Sequence, residues 1–266
     1  MIALRPITLI TGASSGIGRE MARVFARNGH ELVLVARREV RLQALARDLE
    51  SLGDRKPLVL PLDLENQAAV AAIADALIEH GVEPQYVVNN AGFGLVGLAG
   101  DLDRGEQQHM IDVNVRALTE LSLAFSDSLA RHRGGVLNVA SLAGFVPGPG
   151  MAVYYATKAY VVSFSEALHR EVASRGVRVT ALCPGPVQTE FAARAGVPEN
   201  IASGLLAVSA EQVAEQGYRG LMRGRRIVIP GLANKLVTFV MRFVPRGVLL
   251  KVVATRQSRR RSAMGS

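Results

Sequence analysis

Short apolar runs alternate along the chain with longer stretches in which apolar positions return every three or four residues. Residues 7–11, 31–36, 57–61, 86–89, 136–140, 177–183 and 226–229 predict strands, and 16–28, 39–52, 66–80, 114–133, 153–175 and 210–222 predict helices. Several of these strands are apolar on both faces, the pattern expected when helices cover a parallel sheet on both sides. Ser209 followed three residues later by Gln212 marks the start of the last of those helices. The regular alternation predicts a doubly wound α/β fold. With no internal repeat and no long linker, one domain is expected over residues 1–230, followed by an extension over 231–266.

Composition narrows the chemistry. Hydrophobic residues are 49% of the 266 and charged ones 20%, which excludes a disordered chain. One cysteine, Cys183, excludes a disulfide scaffold. The histidines (His30, His80, His109, His132 and His169) lack metal-ligand spacing, so no metal is expected. Of the 31 Lys and Arg, 12 follow Glu215, the last acidic residue. The body is therefore mildly acidic and the C-terminal end strongly basic, a distribution that does not point to nucleic acid. No basic leader or cleavage site precedes the first apolar run. The apolar segment 236–253 carries Arg242, Pro245, Arg246 and Lys251, which argues against a membrane span. A soluble cytoplasmic protein is expected.

The first strand runs into Thr11-Gly12-Ala13-Ser14-Ser15-Gly16-Ile17-Gly18 and then a helix. Glycines let the backbone approach a pyrophosphate, and a helix N-terminus offers free N–H groups and the positive end of a dipole. The same residues also describe an ordinary glycine-rich strand-to-helix turn, because glycines at 12, 16 and 18 do not follow GxGxxG. The second strand ends in Ala36-Arg37-Arg38, where a fold that prefers NAD(H) places an acid for the ribose hydroxyls. The missing carboxylate and the two guanidiniums together favour NADP(H) over NAD(H).

Tyr154 and Lys158 lie four apart in a helical stretch and so share a face. A tyrosine is a poor acid or base at neutral pH, and a nearby ammonium is expected to favour its phenolate. Such a pair can protonate a carbonyl oxygen while hydride arrives from a nicotinamide.

TGASSGIG, Asn89-Asn90-Ala91-Gly92, Asn114, Ser141, Tyr154-x-x-x-Lys158 and Pro184-Gly185 stand in the order and spacing of the classical short-chain dehydrogenases/reductases. The resemblance covers residue 6 to about residue 230. It implies a Rossmann-type fold of about seven parallel strands flanked by helices. It also implies that Tyr154 is the general acid/base and that Lys158 lowers its pKa and holds the nicotinamide ribose. Ser141 would hydrogen-bond the substrate oxygen, and Asn114 would hold a water that relays protons to Lys158. By the same resemblance the loop residues, Asp63 and Leu64, and Asn90 to Gly92 line the cofactor, while Val187 and Thr189 after the Pro184-Gly185 turn hold its carboxamide. Arg37 matches the NADP-preferring members. Dimers or tetramers through helices 114–133 and 153–175 are implied as well.

The segments expected to form the substrate pocket, 92–97, 142–151 and 188–207, are mostly apolar. They contain Phe93, Leu95, Phe145, Val146, Met151, Phe191, Leu205 and Leu206, with Glu190 and Arg194 as the charged exceptions. An apolar carbonyl or alcohol fits them. Residues 168–177 resemble the corresponding helix of 3-oxoacyl-carrier-protein reductases, and Arg175 suits an acidic carrier. Those enzymes, however, stop soon after the last strand. A non-catalytic NADP(H)-binding sensor or scaffold is the other alternative, against which the intact Asn114, Ser141, Tyr154 and Lys158 speak. Cys183, Tyr155 and Tyr160 read as packing residues, and 169–171 as a solvated helix face. Pro245 divides the extension into two helices. Lys235, Arg242 and Arg246 are expected on one arc, with Leu236, Phe239, Val240 and Phe243 mostly opposite. That arrangement suits either a cover over the pocket, a subunit interface, or contact with an anionic membrane, to which Arg259, Arg260 and Arg261 would add.

Overall fold

The computed structural model describes residues 4–52, 55–191 and 206–262, with 256–262 as backbone only. Seven strands form one parallel sheet: β1 (Arg5–Thr11), β2 (Leu32–Val35), β3 (Leu58–Leu60), β4 (Val82–Asn89), β5 (Gly135–Val139), β6 (Arg178–Leu182) and β7 (Ile227–Val228), in the order β3-β2-β1-β4-β5-β6-β7. This is the Rossmann-type doubly wound architecture. Every residue of β2 and β5 is buried, which accounts for the unbroken apolar run of β2; the one polar residue of β5, Asn138, is hydrogen-bonded to Asn89 and Ser165. The order reverses between β1 and β4, and a crevice at the carboxyl ends of strands is expected at such a switch.

The sheet is covered by α1 (Gly16–Arg27), α2 (Glu39–Glu50), α3 (Ala69–Glu79), α4 (Arg104–Ile111), α5 (Leu118–Ala124), α6 (Ser126–Arg131), α7 (Ala152–Glu171) and α8 (Ala210–Met222). One core lies beneath α1, α2 and α8, around Phe25, Leu34, Leu45 and Val213. A second lies on the opposite face, around Leu9, Ile73, Met110 and Leu121, and a smaller third joins Val161, Ala181 and Cys183. Burying each such side chain stabilises the fold by about 1.5–3 kcal/mol.

The helix expected over 114–133 is instead an irregular run that starts earlier, at α4, and breaks before α6. Asp103 caps α4 by accepting from the Glu106 N–H at 2.8 Å. A wider π turn follows at Asp112–Ala117, then α5, a break at Phe125, and α6. Gly105 and the polar run Glu106-Gln107-Gln108 conceal this start from a search for apolar periodicity. At the start of α8 the Ser209 hydroxyl accepts from the Gln212 N–H at 3.1 Å, as the sequence predicts.

Beyond β7, α9 (Leu232–Met241) and α10 (Arg246–Ser262) flank Pro245. Their orientation corrects the expected arc. α9 turns inward with Asn234 and Thr238, both buried, while Leu236, Phe239, Val240 and Phe243 face outward on the same side as Lys235 and Arg242. The polar pair has a reason to be inside. Asn234 donates to the carbonyls of Pro230 (2.8 Å) and Leu206 (3.1 Å), and Thr238 donates to the carbonyl of Asn234 at 2.8 Å. Asn234 also packs so closely on Gly185 that a Cβ there would meet its amide at 2.7 Å. No helix among the described residues is long and apolar enough to cross a membrane.

Candidate active site

The loop from β1 to α1 is drawn tightly against the end of β4. Gly12 (φ +64°) and Gly16 (φ +53°) occupy left-handed backbone. A Cβ on Gly12 would lie 2.8 Å from Asn90 Nδ2, and one on Gly18 only 2.3 Å from the Gly12 oxygen. The Asn90 amide donates to the Thr11 and Gly12 carbonyls at 3.0 and 3.2 Å, while Thr11 Oγ1 accepts from the Asn90 and Ala91 N–H groups, both at 3.1 Å. Gly18 therefore stands behind the loop rather than in its mouth. Ser15 begins α1 without a side-chain cap, and the first turn holds no acidic residue. The first N–H groups of α1 and its dipole are thus left for an anion.

A cavity of about 650 Å3 opens at this end of the sheet. Its walls contain Gly12, Ser14, Ser15, Gly16 and Ile17 from the loop, with Arg37, Arg38, Asp63 and Leu64 after β2 and β3. Asn90, Ala91 and Gly92 after β4 line it too, as do Ser141, Tyr154 and Lys158, and Pro184, Gly185, Val187 and Thr189 after β6. Every site residue expected from the sequence lines this cavity except Gly18 and Asn114. The two arginines diverge. Arg37 turns to Glu65 (3.1 Å) and Asp63 (3.5 Å), whereas Arg38 lies over the loop, donating to Ser14 Oγ (3.1 Å) and Ser15 Oγ (3.0 Å). Arg38 also reaches Glu190 at 2.7 Å, and Arg41 pairs with the same carboxylate. Those guanidiniums hold the Glu190 carboxyl below its ordinary range, Arg38 most.

Tyr154 and Lys158 are both buried on α7. Lys158 Nζ donates to the Val139 carbonyl at 2.8 Å and lies 5.9 Å from the centre of the Tyr154 ring. Burial pushes the Tyr154 phenol up to about 12, although its hydrogen bond with Ser141 pulls the other way. Burial also brings the Lys158 ammonium down to about 8. In the protein alone, then, burial keeps the phenol in its protonated form at neutral pH. Ser141 Oγ accepts from the Ala143 N–H at 3.1 Å, which fixes its place at the head of a 3₁₀ turn over Leu142–Phe145.

Asn114 sits in the π turn, buried behind the cavity wall. It accepts from the Phe93 N–H (3.1 Å) and donates to the Phe93 carbonyl (2.9 Å) and Thr157 Oγ1 (3.1 Å). It therefore ties the strand-end segment at Gly92 to α7. A Cβ on Gly92 would come within 2.7 Å of Asn114 Oδ1 and 3.6 Å of Lys158 Nζ, so glycine is needed there for close approach.

Other sequence expectations meet mixed outcomes. Phe93, Val146, Met151, Phe191 and Leu206 line the cavity, whereas Leu95 and Phe145 pack away from it. Arg194 and Leu205 lie outside the described residues, as do the side chains of Arg259, Arg260 and Arg261. Cys183 is fully buried, and burial pushes its thiol up to about 12. Tyr155, expected only to pack, does so against Tyr154 (ring centres 6.1 Å apart) but also lines the cavity. His169 is not solvated: its Nδ1 lies 2.8 Å from the Val179 carbonyl. Arg175 pairs with Asp127 at 2.6 Å.

The sequence allows the extension to cover the pocket, but it points to other residues for that role than the ones that line the cavity. Val237 and Met241 of α9 and Leu249, Val252 and Val253 of α10 line the apolar end of the cavity. The signal was present as Asn234 and Thr238, two polar residues one turn apart in an apolar helix.

A loop with free helix N–H groups, a guanidinium across it and a buried Tyr-Lys pair together fit a nicotinamide dinucleotide. The short chain dehydrogenase family model matches residues 6–199. The chain belongs to this family.

Among relatives of this short-chain dehydrogenase is the sulfoacetaldehyde reductase of Chromohalobacter salexigens. It is 39% identical over 218 residues, which are 79% of this chain and 85% of that protein. A short-chain dehydrogenase from Sphingobium yanoikuyae, solved in complex with NADPH, is 33% identical with a TM-score of 0.77, over 91% of this chain and 97% of its own. Another, from Burkholderia phymatum in complex with NAD, is 26% identical with a TM-score of 0.79, over 90% of this chain and 94% of its own. The short-chain dehydrogenase described here is an oxidoreductase with a nucleotide-binding Rossmann-type fold, and a nicotinamide is its cofactor.

Proposed function

We propose that the protein interconverts an apolar carbonyl and its alcohol with NADP(H). The catalytic domain of residues 1–230 would be completed by the extension over 231–266. The observation that carries this reading is a single cavity that joins the Arg38-covered loop and the Tyr154–Lys158 pair to an apolar end built by Met151, Phe191, Val237 and Met241. Further partners in this reading are a second copy of the chain and an anionic membrane surface reached from the cytoplasm. The partly exposed Leu123 and Tyr160 support self-association.

When bound, the nicotinamide supplies or accepts hydride. The residues do the rest. Tyr154 gives its phenolic proton to the carbonyl oxygen, and Ser141 donates a hydrogen bond that holds that oxygen at the phenol. Lys158, below about 8 still an ammonium, stabilises the phenolate left behind. Asn114 keeps the wall at Phe93 and α7 in register. Arg38, placed over Ser14 and Ser15, would hold a 2′-phosphate, and Arg37, turned to Glu65, would contribute less.

A small anionic aldehyde, the substrate in the name of the Chromohalobacter relative, suits this cavity poorly. Among the described residues its cations are Arg37, Arg38 and Lys158, none of which stands at the apolar end. A 3-oxoacyl thioester and a catalytically silent sensor are the alternatives to separate. NADPH and NADH consumption against ketones, aldehydes, quinones and 3-oxoacyl thioesters does so. Turnover of lipophilic ketones with NADPH preferred is expected, and exclusive turnover of thioesters or anionic aldehydes would replace the substrate assignment.

A further inference from the structure

We propose that the outer face of α9, with a basic pocket beside β7, is an anionic-lipid docking site that holds the apolar end of the cavity against a bilayer. This rests on the reading of the extension as a membrane-facing element and names the groups that would recognise the lipid.

Two observations converge on this face. The first is an apolar ridge. Leu232, Leu236, Phe239, Val240 and Phe243 recur at three- and four-residue spacing and are 50–83% exposed. A ridge of this kind on the outside of a short helix needs a partner. The second is a separate pocket of about 210 Å3 lined by Arg219, Arg223, Arg225 and Lys235. Arg219 is paired with Glu215 at 2.8 Å, but no carboxylate among the described residues pairs with Arg223, Arg225 or Lys235. Lys235 belongs to both features, since it lines the pocket and stands one turn before Phe239 on α9. The ridge and the cationic pocket therefore adjoin.

Charge chooses the occupant. After Glu215 the chain contains no acidic residue, and Lys235, Arg242, Arg246 and Lys251 are all exposed on these two helices. A second copy meeting this face about a two-fold axis would oppose like charges, with Glu215, already paired to Arg219, as the one carboxylate named at the pocket to offset them. An anionic bilayer supplies what the face lacks: phosphate headgroups for the pocket and an acyl boundary for the phenylalanines. α9 is one helix thick, with Phe239 and Phe243 outside and Val237 and Met241 inside, lining the cavity. Docking would therefore place a lipophilic substrate's source beside the apolar end of the site.

The full-length protein is sedimented with vesicles of phosphatidylcholine alone or mixed with phosphatidylglycerol. Wild type is compared with Phe239→Ser/Phe243→Ser and with Arg223→Glu/Lys235→Glu. Unchanged NADPH binding and melting temperature establish that the variants fold. The proposal expects binding only to the phosphatidylglycerol vesicles, weakened by salt and by at least about tenfold in each double variant. It is overturned by equal binding to both lipids, by no binding, or by variants that bind as wild type does. A dimer in the wild type that Phe239→Ser/Phe243→Ser dissociates would assign the face to a subunit interface instead. None of these readouts uses turnover, so they stand whatever the substrate is.

Discussion

Lys158 on α7 donates to the main-chain carbonyl of Val139 at the end of β5, a 2.8 Å bond inside the protein. That bond fixes the ammonium beside the Tyr154 ring, and it leaves a charge buried without a carboxylate partner among the described residues. Desolvating an ammonium in this way costs several kcal/mol, whereas the hydrogen bond returns about 1–3. The site is therefore held at the expense of stability.

Lys158→Met is accordingly expected to abolish turnover while raising the melting temperature at pH 7. The folded pKa, about 8, is below the ordinary 10.5, so the wild type recovers stability as pH rises from about 8 to 10.5. The advantage of the variant should shrink over that window. Thermal melts at pH 7 and pH 10 check it, and a variant less stable at pH 7 would show that the ammonium is not strained.

The same titration predicts a pH profile. Carbonyl reduction should be level in the neutral range and fall above about pH 8, where Lys158 loses the charge that stabilises the phenolate. Initial rates at saturating NADPH test this. A reduction rate that climbs through pH 8–9 would contradict it.

The fold was legible in the sequence because strands of a covered parallel sheet are rich in apolar residues, and all seven strands overlap the short apolar runs. Boundaries moved where polar capping replaced apolar periodicity, as at Asp103. Tyr154, Lys158 and Gly12 were legible from local spacing, and Ser141 only from the family resemblance. What spacing could not show was which way a long side chain turns. Arg37 and Arg38 are adjacent in sequence, yet carboxylates at 63 and 65 capture the first while the serines of the loop receive the second. The inward face of α9 was hidden for a similar reason. Hydropathy left open what Leu236 and Phe239 face, and the hydrogen bonds of Asn234 and Thr238 decide the rotation.

Arg38→Ala should weaken NADPH binding at least about tenfold and leave NADH nearly unchanged, because a charge-assisted hydrogen bond to phosphate is worth about 1.5–3 kcal/mol. Arg37→Ala should have the smaller effect. Fluorescence titration of both cofactors decides between them, and the reverse ranking would move the phosphate grip to Arg37.

Asn114→Ala removes bonds to both main-chain groups of Phe93 and to Thr157. A loss of about 2–4 kcal/mol in stability is expected from stranding buried polar groups, with a lower kcat and little change in NADPH affinity. Denaturant unfolding and steady-state kinetics measure both. Unaltered stability would mean that the wall at Phe93 does not depend on this side chain.

The most direct test compares wild type with Tyr154→Phe for NADPH oxidation by the best lipophilic ketone, with NADPH affinity measured alongside. Removing only the phenolic oxygen takes away the proton that the carbonyl oxygen must receive. Turnover should fall at least about a hundredfold with cofactor binding unchanged. Retention of wild-type turnover in Tyr154→Phe would contradict the assignment of Tyr154 as the proton donor, and with it the account of this site.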